Sequence, residues 1–103
     1  MLERAVKEKV KKILKEYGCY YFMPSMNGFG KAGVPDFIVC FKGNFLGVEC
    51  KAGNNKATPL QEKNIADIIA AGGHAMVVNE DTVGNVIEYL KAHGGKRGET
   101  EAD

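Results

Sequence analysis

Apolar residues at Leu2, Val6, Val10, Ile13, Leu14 and Tyr17 recur every three or four positions, and Lys7, Lys9, Lys11, Lys12 and Lys15 fill much of the space between them. That period predicts an amphipathic helix closed by Gly18. Cys19 to Met23 is short, aromatic and apolar and reads as a strand, after which Pro24 to Gly33 collects Pro, Ser, Asn and three Gly into a loop. Phe37 to Phe41 is apolar throughout, the pattern of a strand covered on both faces. Phe45 to Lys51 follows a Lys42-Gly43-Asn44 turn and completes a hairpin. Thr58-Pro59-Leu60-Gln61 joins a capping residue, a proline at the first helical position and a glutamine three places after the cap. Leu60, Ile65, Ile68 and Ile69 then carry an apolar helical stripe as far as Gly72. Ala75 to Val78 predicts a further strand. Val83, Val86, Ile87 and Leu90 predict a last helix, begun near Asp81 or Thr82 and stopped by Gly94. The order is α-β-β-β-α-β-α in one domain over residues 1–94, without internal repeat or linker. Residues 95–103 are polar and aperiodic, which predicts a disordered tail carrying no chemistry.

Composition narrows the class without naming an activity. With 103 residues, 45% hydrophobic and 26% charged, the chain matches one small globular domain with a single core. No apolar run approaches the ~18 residues of a membrane span, and charged residues open the chain where a signal peptide would be apolar, so a soluble cytoplasmic protein is expected. Cys19, Cys40 and Cys50 lack CxxC spacing, and His74 and His93 are isolated, which excludes a disulfide framework and a zinc cluster and predicts reduced, buried thiols. Lys plus Arg is 14 against 13 for Asp plus Glu, so a nucleic-acid partner needs a local basic surface.

The chemistry concentrates on the hairpin, where Pro35-Asp36 opens one strand and Glu49-Cys50-Lys51 closes its partner. Side chains alternate along a strand, so Glu49 and Lys51 share a face while Cys50 points toward the core. A two-residue Gly43-Asn44 loop would put Asp36 opposite Lys51 and diagonal to Glu49. Two carboxylates brought together repel unless a cation lies between them, so the patch has the chemistry of a divalent-metal seat. Oxygen donors without Cys or His favour Mg2+ or Mn2+ over zinc. The plainer alternative is that Asp36 merely begins a strand and Glu49 and Lys51 form a surface ion pair. Other motifs fail on context. Gly28-x-Gly30-x-x-Gly33 runs into Pro35 and a strand, where a dinucleotide fingerprint must open a helix, and Gly30-Lys31 lacks the Ser or Thr of a phosphate-binding P-loop.

Together, Glu3 in the first helix, Lys31-Ala32-Gly33-Val34-Pro35-Asp36, Phe45-Leu46-Gly47-Val48-Glu49-Cys50-Lys51, Thr58-Pro59-Leu60-Gln61 and Gly72-Gly73 resemble the virus-type replication-repair nuclease (VRR-NUC) domain of the PD-(D/E)xK superfamily. The resemblance spans about residues 3 to 80 and is to the stand-alone domains of bacteriophages. It implies a restriction-endonuclease-like α/β core, a mixed central sheet flanked by helices. It also implies a metal-dependent, structure-selective DNA endonuclease of bacterial or phage-infected cells, similar to Holliday-junction resolvases that act as homodimers and leave 5′-phosphate and 3′-hydroxyl ends. By that resemblance Asp36 and Glu49 bind Mg2+ or Mn2+, the Cys50 carbonyl adds a ligand, and Lys51 orients the attacking water. Gln61 stands beside the lysine and Glu3 joins the metal set. Both have local readings too, Glu3 as an acid favoured by the helix dipole and Gln61 as part of a capping box.

For DNA, the basic candidates are Lys31, Lys42, Lys56 and Lys63, with Asn27 and Phe29 on the glycine-rich loop. No base-reading motif is present, so recognition of backbone or branched structure is expected. Met23, Met26 and Phe29 are candidate dimer-interface residues. A nucleic-acid-binding module without turnover or dependent on a partner, a flap or nicking nuclease, and a structural domain are the competing readings.

Overall fold

The computed structural model describes residues 1–25 and 30–98. Helix α1 (Glu3–Glu16) buries Val6, Val10, Ile13 and Leu14, the stripe its period requires. It closes at Gly18, whose positive φ of 68° suits glycine, and the Cys19 N–H donates to the Leu14 carbonyl at 3.0 Å. The chain then forms β1 (Tyr20–Phe22), β2 (Phe37–Phe41), β3 (Asn44–Cys50), α2 (Pro59–Ala70), β4 (His74–Val78) and α3 (Gly84–Ala92). The strands form one sheet in the order β1-β2-β3-β4. The first two pairings are antiparallel, while β4 runs parallel to β3, which requires the crossover that α2 supplies. The mixed α/β fold and its element order are those the sequence predicts. The last helix begins at Gly84, later than the expected start near Asp81. There the Asn79 side chain accepts from the Asp81 and Thr82 amides and holds the preceding residues as a turn.

The register differs from the sequence expectation. Phe41 pairs with Asn44 and Phe37 with Val48, so the two turn residues are Lys42 and Gly43 and every pairing moves by two. Both take positive φ, 49° and 81°, as a primed turn demands. Either register turns Phe37, Val39, Phe41, Leu46 and Val48 inward, so burial could not choose between them. A shift of two also leaves every side chain on its face.

That inner face meets α1 and α3 and makes the core, into which α3 adds Val86 and Leu90. Coverage of the other face is partial. Ile38 is half-buried and Cys40 exposed, so β2 is not the doubly covered strand expected, and of the three thiols only Cys50 is buried. Helix α2 lies over the outer side of β3 and β4, with Ile68 against Gly47 and Gly73. Its stripe is thinner than the sequence suggests: Leu60 and Ile69 are exposed, and its one buried side chain is Asn64. Beyond α3, the Gly98 N–H donates to the Glu16 carbonyl at 2.9 Å and Arg97 pairs with Glu16 at 3.0 Å. Among the described residues, no helix is long and apolar enough to cross a membrane.

Candidate active site

The end of β3 and the start of β2 lie side by side, and one step beyond the Phe37–Val48 pair Asp36 comes opposite Glu49. Asp36 is fixed by the backbone of the strand beside it: its Oδ2 accepts the Cys50 N–H at 2.8 Å. Its Oδ1 lies 3.5 Å from the Lys7 ammonium on α1, and the same ammonium is 3.7 Å from Glu3 one turn earlier. Burial works against the charge on Lys7, but Asp36 and Glu3 outweigh it and hold its pKa above the ordinary lysine range.

Glu49 is the buried member, only 1% exposed. Its Oε2 accepts from Gln61 Nε2 at 3.0 Å and lies 3.5 Å from the Lys51 ammonium. Its Oε1 is buried without a hydrogen-bond donor among the described residues. Burial, then the charge of Asp36, push the carboxyl up to about 7 in spite of Lys51. Gln61 serves both of its readings at once. Its Oε1 accepts the Thr58 N–H at 2.9 Å while the Thr58 hydroxyl accepts the Gln61 N–H at 3.2 Å, and the amide nitrogen left over reaches Glu49. The capping box therefore fixes the rotamer that supports the carboxylate. Behind the site, Glu80 accepts the Gly53 N–H with both carboxylate oxygens at 3.0 Å, and the Asn79 amide donates to the Gly53 carbonyl at 3.0 Å. These bonds pin the segment that leaves Lys51.

An ion would find donors here that suit it. A buried carboxylate oxygen without a donor, facing a second carboxylate, is the pair that Mg2+ or Mn2+ takes with water completing its shell. Among the described residues no three His, Cys, Asp or Glu side chains close on one point, so Glu3 stands apart from the Asp36–Glu49 pair, held by Lys7. It is the Cys50 amide, not a side chain, that reaches Asp36, while the Cys50 thiol lies in the core and burial pushes it up to about 12.

The structure gathers Asp36, Glu49, Lys51 and Gln61, with Glu3 at the margin. Lys56 is exposed on the segment between β3 and α2. Lys63 pairs with Asp67 at 2.9 Å on the outside of α2, and Lys31 lines a groove beside Asp67 and Ile68. Lys42 turns the hairpin at the other end of β3, about 20 Å away at strand rise. Asn27, Phe29 and Met26 lie outside the described residues. Two residues escaped the sequence reading. Lys7 sits four places after Glu3, a spacing that puts both on one helix face. Asn64 interrupts the stripe between Leu60 and Ile68; its amide donates to the Leu60 and Ala32 carbonyls at 2.9 and 3.1 Å and ties the approach to Asp36 onto α2.

No family model matches the chain. A protein of Acyrthosiphon pisum secondary endosymbiont phage 1, provisionally named nuclease p44, is 34% identical over 59 residues. That alignment takes in 56% of this chain and 63% of the phage protein, less than two thirds of its length. Among solved structures, a VRR_NUC domain protein matches 100% of this chain and 98% of its own, with a TM-score of 0.73 and 25% identity.

Proposed function

We propose that this chain, a VRR-NUC domain of the PD-(D/E)xK superfamily by its fold and its phage relative, is a metal-dependent endonuclease that hydrolyses DNA phosphodiester bonds. The observation that carries the reading is the Asp36–Glu49 pair, with one buried carboxylate oxygen left without a donor and Lys51 alongside. Asp36 and Glu49 would hold Mg2+ or Mn2+, with the Cys50 carbonyl and Glu3 as further candidates. When bound, the ion supplies the Lewis acidity that activates water and offsets phosphate charge. Lys51, only 12% exposed, points its ammonium from the same patch and would orient the attacking water and meet the phosphate. Gln61 keeps Glu49 Oε2 in place, and the Cys50 amide does the same for Asp36. Water oxygen attacks phosphorus and gives a proton to solvent while the bond to the 3′ oxygen breaks and that oxygen takes a proton from solvent water, leaving 5′-phosphate and 3′-hydroxyl ends. No histidine is near, and the reading needs none.

The substrate within this reading is branched DNA, cut in the cytoplasm of a bacterial or phage-infected cell. One such site cuts one strand, so paired incision of a four-way junction calls for a homodimer. Support for dimerisation comes from the outer sheet face. Tyr20, Cys40 and Phe45 lie in one cross-strand row and Phe22 and Ile38 in the next, and Tyr20, Phe22 and Phe45 are 69%, 52% and 44% exposed. An uncovered apolar row of this kind marks a contact surface.

The test is cleavage of labelled four-way junction, flap and linear duplex DNA by the wild type and Asp36→Ala, in Mg2+, Mn2+ or EDTA. Cleavage that needs metal and Asp36 is expected, with a loss of at least about a hundredfold in the variant. Equal binding and no cleavage of any substrate would instead make the chain a nucleic-acid-binding module.

A further inference from the structure

Lys51 balances Glu49 from the sheet, and Lys7 does the same for Asp36 from α1, at the same 3.5 Å separation. Three carboxylates (Glu3, Asp36, Glu49) against two ammoniums (Lys7, Lys51) leave one formal negative charge, which would repel a phosphodiester. A divalent cation changes that to one positive charge. The oxygen Lys7 faces, Asp36 Oδ1, is the one that the Cys50 amide leaves open to an ion. Ammonium and metal therefore compete for it. Lys7 is half-buried on a flexible stem at the rim, so it can turn away without disturbing the core.

Resting on the nuclease reading above, we propose that Lys7 is a second phosphate-binding lysine of this site, held by Asp36 and Glu3 until a divalent ion takes its place, and then released to the DNA backbone. It is a positioning residue in the metal-free protein and a phosphate contact in the loaded one.

Lys7→Met keeps the stem and the helix while removing the charge, and Lys7→Arg keeps the charge. Mn2+ titration without DNA is expected to show Lys7→Met binding the ion about threefold to tenfold more tightly, the size of a partly exposed ion pair. DNA binding in Ca2+, followed against salt, is expected to weaken in Lys7→Met, with the logarithmic slope smaller by about 0.9, one phosphate contact. Lys7→Arg should restore the slope. Unchanged or weaker Mn2+ binding in Lys7→Met overturns the competition, and an unchanged slope overturns the phosphate contact. If the wild type cleaves DNA with metal while Lys7→Met matches it in both measurements, the inference falls and the nuclease reading stands. If the wild type neither binds Mn2+ nor cleaves, the nuclease reading falls and this inference with it.

Discussion

Glu49 ties the site to pH. Its carboxyl titrates near 7 in the fold against about 4.5 unfolded, so between those values the folded protein holds the extra proton. Stability from this residue is complete below about pH 4.5 and is lost as pH rises through 7, an order-of-magnitude cost of about 3 kcal/mol. In EDTA at pH 8, Glu49→Gln should therefore raise the Tm, and at pH 4 leave it unchanged. Mg2+ should raise the Tm of the wild type at pH 8, by relieving the buried charge, and leave that of Glu49→Gln nearly unmoved. Thermal denaturation across pH and metal checks both. A lower Tm for Glu49→Gln at pH 8 in EDTA would mean that the charge is already compensated. The carboxylates were legible from the sequence as residues. Their inequality was not, because full burial of Glu49 and only partial burial of Asp36 depend on the long-range packing around them.

At the scale of elements, α2 and the hairpin turn carry opposite lessons. Every feature of the α2 start was visible in Thr58-Pro59-Leu60-Gln61, since a capping box is a local motif that closes its own hydrogen bonds. Thr58→Ala should cost about 1 kcal/mol, a few degrees in Tm, and spare most of the cleavage rate. Gln61→Ala should lower both, because it also releases Glu49. The hairpin register was not legible. Lys42-Gly43 and Gly43-Asn44 both make acceptable two-residue turns, and both bury the same side chains. What distinguishes them is a lysine held at φ 49°, a conformation that costs a side chain about 1 kcal/mol. Lys42→Asn, in a turn that favours Asn-Gly, should raise stability by about 0.5–1 kcal/mol. Cleavage should be unchanged, since the turn lies at the far end of the sheet. Denaturant unfolding alongside a cleavage assay would register either departure.

For the whole molecule, the unequal faces of the sheet matter most. Two helices cover most of one face, and one helix covers part of the other. The exposed aromatic row of the second face, Tyr20, Phe22 and Phe45, suits contact with a partner. If that partner is a second copy, sedimentation of the wild type should report a dimer, and Tyr20→Glu with Phe45→Glu a folded monomer. The monomer should still nick one strand of a junction and lose paired incision. Cys40, the exposed thiol at the centre of the row, should cross-link two copies with a short bismaleimide. A wild type that sediments as a monomer would remove the homodimer from the reading.

Local periods and motifs along the chain were enough to place the seven elements and the inner face of the sheet, and to single out Asp36, Glu49, Lys51 and Gln61 as candidates. Even a register wrong by two left Asp36, Glu49 and Lys51 on one face, since strand side chains repeat every two positions. Long-range packing was needed to show that Lys7 answers Asp36, that Asn64 holds the approach to it, and that Glu49 is the buried carboxylate. Each of these depends on which helix is laid across which strand, a long-range choice that no short window of the chain contains.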